Sequence, residues 1–396
     1  MKNRNLKLGC LLLLNLSGYA QTKIDSIAKI SRTEIEMVYN QYIQNGNNSA
    51  ITGGIGPEKL TVYGPSFNIK KISDKNVYSY TIGSDIISSA STDNIDYIKS
   101  SASVLDARVY TNFGYERKFS KNLNLNFNGG LSIESDYLSF TYGFGISKTD
   151  KSKTHNYSFD VSISNDDLRW GLVNPGYYAP TKLIYPSELR YKEWYDVYNR
   201  NSYNFKLGLW KILNKRNNFG VFPELTYQEG LLATPFHRVY FSDGSLRVEN
   251  LPNRRLKGAI AIRLNSFVAG NYIIKNTFNV YEDTFGIRAF SLENETIVKV
   301  NSKLAIIPNI RFYSQSSSKY FNEYLKNSIE QSYYTSDFDL SKFKTYNIGI
   351  GIKYKNEKIK DNRLISKSFM VRYNFLKRSN NLNAHSISII FFSSKD

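Results

Sequence analysis

The chain has 396 residues, of which 41% are hydrophobic and 22% charged, with a formal net charge of +18. A mean hydropathy of −0.41 excludes a helical membrane protein, because only the extreme N-terminus is apolar and nothing later approaches the ~20 residues of a spanning helix. The positive charge invites a nucleic-acid partner, but no recognition motif accompanies it and none is expected.

Residues 1–20 read as a cleavable signal peptide. Lys2, Arg4 and Lys7 form its charged start, "LGCLLLLNL" its apolar centre, and Gly18 and Ala20 the small positions before a cut. The expected destination is the outer membrane of a Gram-negative bacterium. Cys10, the sole cysteine, falls inside this signal, so the mature chain meets an oxidising compartment without disulfides. A closed barrel tolerates that, since its strands pair all the way round and leave no edge.

Residues 21–75 read as an N-terminal accessory or plug-like segment. Ile24, Ile27, Ile30, Ile35, Val38, Tyr42 and Ile43 recur at roughly helical spacing. "NGNNSAITGGIGPEK" then breaks any helix. "KLTVYGPSFNIKK" is a further strand candidate, with Pro65 pointing to an edge or a bulge.

From residue 76 to 392 the pattern has period two. "LNLNFNGGLSIESDYLSFTYGFGISKT", residues 123–149, shows it best: Leu123, Leu125, Phe127, Leu131 and Ile133 alternate with Asn, Gly and Ser. About fourteen strands are expected (12–16 in range), over 76–84, 105–118, 122–133, 137–148, 154–164, 201–213, 217–228, 254–268, 271–281, 284–298, 303–314, 344–355, 365–375 and 383–392.

The connections sort by length. Those near 120, 150, 214–217, 269–271 and 301–303 are tight, while 85–104, 165–200, 229–253 and 315–343 are long and fall on one side of an up-and-down order. Short members of that side are 134–136, 282–283 and 376–382, and 356–364 is a longer member of the other. This is the plan of an all-β, antiparallel, up-and-down transmembrane β-barrel; a soluble sandwich with Greek-key connections has no reason to sort its loops so. Aromatics at 15%, with 31 Tyr and 24 Phe against 3 Trp, suit the two aromatic girdles of such a barrel.

With the apolar face outward, Arg108, Lys206, Arg255, Lys257, Arg263, Lys275, Arg311, Lys353 and Arg372 are expected to line the lumen, against Glu116, Asp160 and Glu224. A water-filled lumen of this kind favours anions; a plugged one would use the same charges in internal pairs. The face assignment within 284–298 is ambiguous.

Carboxylates gather where strands meet the long loops: Asp85, Asp106, Glu134, Asp136, Asp166, Asp167, Glu229, Glu282 and Asp283. The opposite end is basic, with Arg117, Lys118, Lys121, Lys151, Lys153, Lys215, Arg216, Lys299, Lys303, Lys358, Lys360 and Arg363. An acidic outer rim can take Ca²⁺; the simpler expectation is that these acids pair with neighbouring bases and with lipopolysaccharide. No other cofactor and no dedicated metal site are expected.

Several stretches resemble a family of bacterial outer-membrane proteins catalogued as domain of unknown function 3570: "NNSAITGGIGPEKLTVY", "GSDIISSASTDNIDYIKSSASVLDAR", "SIESDYLSF", "YQEGLLATPFHRVYF", "LPNRR" and "YEDTFGIRAFSLE". The resemblance implies an outer-membrane barrel and brings no activity with it. It also implies neighbouring genes for a small lipoprotein, a thioredoxin-like protein and a flavin-transferring enzyme, and with them envelope redox traffic.

No catalytic constellation is visible, so an enzyme is not expected. His155, His237 and His385 lie far apart in sequence. His237, in a long loop near Glu229 and Asp243, is the most interesting. His385-Ser386 is similar to the pair used by barrel lipases, but adjacent strand residues point to opposite faces. Three functions stay open, in this order: a channel or transport-type barrel with a basic lumen, a structural or partner-binding barrel anchoring an envelope assembly that could be redox-linked, and a membrane-embedded hydrolase.

Overall fold

The computed structural model describes residues 31–89, 105–134, 137–168, 199–234, 237–360 and 363–395. The expected signal peptide and Asp136 lie outside them, and of Asp106 only the strand position, opposite Ile87, is described.

The strands in chain order are β1 (Arg32–Asn45), β2 (Leu60–Ile72), β3 (Asn76–Ser89), β4 (Leu105–Lys118), β5 (Leu123–Ile133) and β6 (Leu138–Thr149). Then come β7 (His155–Asp167), β8 (Asn199–Ile212), β9 (Asn217–Gly230), β10 (Arg238–Tyr240), β11 (Leu246–Val248) and β12 (Arg254–Val268). The chain ends with β13 (Tyr272–Asp283), β14 (Arg288–Lys299), β15 (Leu304–Gln315), β16 (Phe343–Lys360), β17 (Arg363–Arg378) and β18 (Asn383–Lys395). All but β10 and β11 form one closed antiparallel barrel of sixteen strands, sealed where β1 pairs with β18.

The barrel strands run from 11 residues in β5 to 18 in β16, enough for the roughly 9–11 tilted residues that cross a bilayer. Their outer face is apolar and open: Ile348 is 60% exposed, Ile352 53% and Ile310 52%. Aromatic pairs stand near both ends of that face. Tyr78 and Tyr115, 5.1 Å apart, lie by the short turns. Tyr203 and Tyr227, 6.2 Å apart, lie by the long loops. The inner face carries Asn, Ser, Gly and charge, and the one cluster of buried hydrophobic residues among the described residues, Val239, Phe241 and Tyr334, belongs to the outer loops. A barrel built this way has water-compatible walls inside and a lipid-compatible surface outside.

Two expectations need correction. The strand count is sixteen rather than about fourteen, and the difference lies in residues 21–75, where β1 and β2 are integral barrel strands. In β1, Ile35, Met37, Tyr39 and Ile43 face outward, but Val38 and Tyr42 also stand inward and Gln41 outward. Those exceptions break the alternation and imitate helical spacing. In β2, the pairing with β3 lapses at Gly64 and Pro65, where proline has no N–H to give; the strand is neither an edge nor bulged. The second correction concerns 356–364, most of which is strand: β16 and β17 pair as far as Lys360 with Arg363.

Candidate functional site: the lumen and its outer mouth

The pairing registers put Arg108, Glu116, Asp160, Lys206, Glu224, Arg255, Lys257, Arg263, Lys275, Arg311, Lys353 and Arg372 on the face opposite the exposed apolar one. They share that face with acids missed in the ambiguous stretch, Glu293 and Glu295 of β14. The alternation there was obscured because Asn294 and Thr296 take outward positions, where apolar residues stand in neighbouring strands.

Part of this charge is internally paired. Lys206 stands 3.6 Å from Glu224, one strand over. Arg108 donates from Nε to Asp85 at 3.0 Å, and Arg255 likewise to Asp283 at 3.0 Å. Glu295 receives Lys275 Nζ at 2.9 Å and Arg372 Nη2 at 2.8 Å. Lys257, Arg263, Arg311 and Lys353 have no ion-pair partner among the described residues. Arg263 instead lies over the Phe222 ring, 4.8 Å from its centroid, and Arg311 over Tyr313 at 5.8 Å. All four sit between β12 and β16, so the unpaired positive charge belongs to one wall of the barrel.

The acids at the outer ends of the strands are not a free rim. Asp85, Asp166 and Asp283 turn inward to Arg108, Arg200 and Arg255. Glu134 stands 4.0 Å from Arg108. Glu282 accepts from Arg288 at 2.8 Å, and Glu229 accepts from Tyr227 at 3.3 Å. Asp167 is also engaged. Arginine partners engage one carboxylate oxygen each of Asp85, Asp166, Asp283 and Glu282.

Above the lumen, three long connections pack on one another. The β10–β11 hairpin, inside the β9–β12 connection, meets the β15–β16 connection through Asn250 and Tyr334, which exchange backbone hydrogen bonds of 3.1 and 2.8 Å. Phe241 packs edge-on against Tyr334 at 4.7 Å. The β1–β2 connection joins at Gly54, whose φ is +86° and whose added Cβ would stand 2.7 Å from the Ser336 carbonyl oxygen; only glycine allows that approach. The cluster is tied to the inner wall. Gln315, the last inward residue of β15, donates to the carbonyl of Asp339 at 2.9 Å and to that of Ser341. Arg378 of β17 pairs with Asp339 and lies 3.9 Å over the Phe343 ring.

His237 sits within this cluster, and its acidic neighbours there are Glu249 and Asp337 rather than Glu229 or Asp243, the acids nearest it in sequence. Its Nδ1 faces Glu249 Oε1 at 3.6 Å and Asp337 Oδ2 at 3.7 Å. Burial disfavours its charged form, but the two carboxylates outweigh that and push the imidazole up to about 9. Burial likewise raises Asp337 to about 6 against the pull of His237, and burial beside Asp339 raises Glu58 to about 7. Sequence reasoning missed Glu249 and Asp337 because 86 residues of chain and four strands separate Glu249 from the loop that holds Asp337 and Thr335.

The other histidines are apart from this group. His155 pairs with Asp150 at 3.2 Å in a short turn. His385 faces outward and bonds the Tyr373 hydroxyl at 2.7 Å, while Ser386 faces inward to Asn374, so the adjacent dipeptide does not make a Ser–His pair.

Among solved structures the chain is similar to a bacterial polysaccharide outer membrane secretin, at 7% identity and a TM-score of 0.42, covering 91% of this chain and 97% of that one. It is also similar to the TodX monoaromatic hydrocarbon channel deltaS2 mutant, at 8% identity and 0.40, covering 92% and 89%. A third is the outer membrane protein OpdK from Pseudomonas aeruginosa, at 7% identity and 0.39, covering 91% and 99%. No curated protein matches the chain. A family model described as "Protein of unknown function (DUF3570)" matches residues 96–369, and the chain belongs to that family.

Proposed function

We propose that this outer-membrane barrel is a channel that passes small anionic solutes. The observation that carries the reading is the wall from β12 to β16, where Arg263, Arg311 and Lys353 face the lumen without an ion pair among the described residues, Glu293 standing across the strand from Arg311. In a narrow, low-dielectric passage, unpaired cations on one wall raise the local concentration of anions and lower their barrier to entry. Barrels of 16–18 strands leave an aqueous channel. The inner glycines and serines of β5 and β6 leave room away from the charged wall.

On this reading the chain is exported by its signal peptide, sits among outer-membrane lipid and lipopolysaccharide, and performs no chemistry on its cargo. Planar-bilayer recordings of the purified barrel test it. Discrete openings with a reversal potential favouring anions are expected. Absence of conductance would move the reading to a barrel that anchors an envelope assembly, for which pull-down of a periplasmic or lipoprotein partner is the corresponding test.

A further inference from the structure

We infer that His237, Glu249 and Asp337 form a binding site for a divalent transition-metal ion, of the zinc class, that clasps the two longest described outer loops together. The site is independent of what the barrel passes.

The geometry points to a metal rather than to hydrogen bonds. His237 Nδ1 is buried and has no hydrogen-bond partner. Its two carboxylate neighbours stand at 3.6 and 3.7 Å, beyond the ~3.2 Å limit of a good N–H···O bond. One ligand atom from each of the three residues lies within 4.8 Å of the others. Bonds of about 2.0–2.1 Å to a tetrahedral Zn²⁺ put ligand atoms roughly 3.3–3.4 Å apart. The two histidine–carboxylate separations therefore need to shrink by only a few tenths of an ångström around an ion, and the carboxylate–carboxylate one, within 4.8 Å, by up to about 1.4 Å. One imidazole with two carboxylates neutralises a divalent charge, and the nitrogen donor selects against Ca²⁺ and Mg²⁺, which prefer all-oxygen sets.

The surrounding residues hold the ligand carboxylates in place by hydrogen bonds to them. Glu249, whose side chain is 2% exposed, receives the Thr234 N–H at 2.6 Å on Oε2 and the Thr335 hydroxyl on Oε1. Asp337 receives the Asp339 N–H at 2.8 Å on Oδ1, leaving Oδ2 for the ion. The Asp337 N–H in turn donates to Thr335 Oγ1 at 2.9 Å, so a single threonine braces both acids. His237 precedes β10, Glu249 follows β11, and Asp337 caps the 3-10 turn Phe338–Leu340. An ion here would fix the hairpin to the turn that Gln315 and Arg378 tie to the inner wall.

The test is isothermal titration of the full-length, chelator-treated barrel in detergent with Zn²⁺, alongside the absorption spectrum of the Co²⁺-loaded protein. One Zn²⁺ per chain is expected, with an intense visible Co²⁺ band of a four-coordinate nitrogen–oxygen site. H237A and D337N should lose binding, T335V should weaken it about 10–100-fold, and D243N, at an exposed turn of the same loop, should leave it unchanged. The Co²⁺ spectrum is read on the unaltered chain, so it decides the matter even where a variant disturbs the loops. Zn²⁺ binding that H237A leaves intact, a six-coordinate all-oxygen Co²⁺ spectrum, or no binding at all would overturn the proposal, the last leaving His237 as an imidazolium between two carboxylates.

Discussion

Arg372 of β17 reaches Glu295 of β14 by lying across the two strands between them, Nη2 to Oε2 at 2.8 Å. Gly351 of β16 pairs directly with Arg372, and a Cβ there would already touch the Arg372 Nε at 3.6 Å, so a bare backbone gives the guanidinium its path. The same carboxylate takes Lys275 on its other oxygen at 2.9 Å. One acid thus holds two bases on the most basic wall of the lumen, while Lys353 and Arg311 beside it go without.

Removing that acid should make the wall more positive. E295Q leaves Lys275 and Arg372 uncompensated, and the proposed channel is expected to become more anion-selective, read as a larger reversal-potential shift in a salt gradient. The double change R311Q/K353Q should move it the other way. The effects should weaken at 1 M salt, where the Debye length falls to about 3 Å.

Gly351 gives a steric counterpart. G351L should push Arg372 off Glu295 with the strand pairing intact, and so resemble R372Q in selectivity while the barrel still shows its folded mobility on unheated gels.

The outer cluster rests on Phe241, which is 0% exposed. F241A should cost the loop cluster about 3–5 kcal/mol, and limited proteolysis should then cut within 231–253 and 316–342 while the barrel stays resistant. Equal protease resistance of the variant would mean that these loops are held by something other than this core.

The cluster should also loosen in alkali when chelator is present. His237 is raised to about 9 in the folded chain from an ordinary 6.5, so its contribution is complete below about 6.5 and lost as pH rises through about 9. Glu58, raised to about 7 from 4.5, makes its own loss at lower pH, between about 4.5 and 7, and adds little above that. Hydrogen exchange in 231–253 and 316–342 should therefore speed up, relative to the intrinsic rate, between pH 7 and 10. No such change is expected in H237A above pH 8.

The strands were legible in the sequence wherever one face met lipid. β12 begins at Arg254 and ends at Val268 as the alternation predicts, and β4 over Leu105–Lys118 does the same. The rule failed at β1, where Val38 and Tyr42 stand inward and Tyr42 donates its hydroxyl to Gln44 of the same strand. It also failed to anticipate the β10–β11 hairpin, whose three-residue strands are too short to show a period. Single charges could be given a face because register fixes it, but their partners could not. Glu295 meets Arg372 across 77 residues, and Thr335 meets Glu249 across 86. Closure of the barrel and packing of its loops make these contacts, and neither leaves a local signature.

The ion selectivity of the reconstituted barrel tests the central proposal most directly. In a tenfold gradient of potassium chloride across a planar bilayer, the unaltered chain should open discrete channels whose reversal potential favours chloride, with the preference reduced in R311Q/K353Q. Channels that favour potassium, or an anion preference untouched by that double change, would contradict the assignment of the β12–β16 wall as the surface that selects the solute.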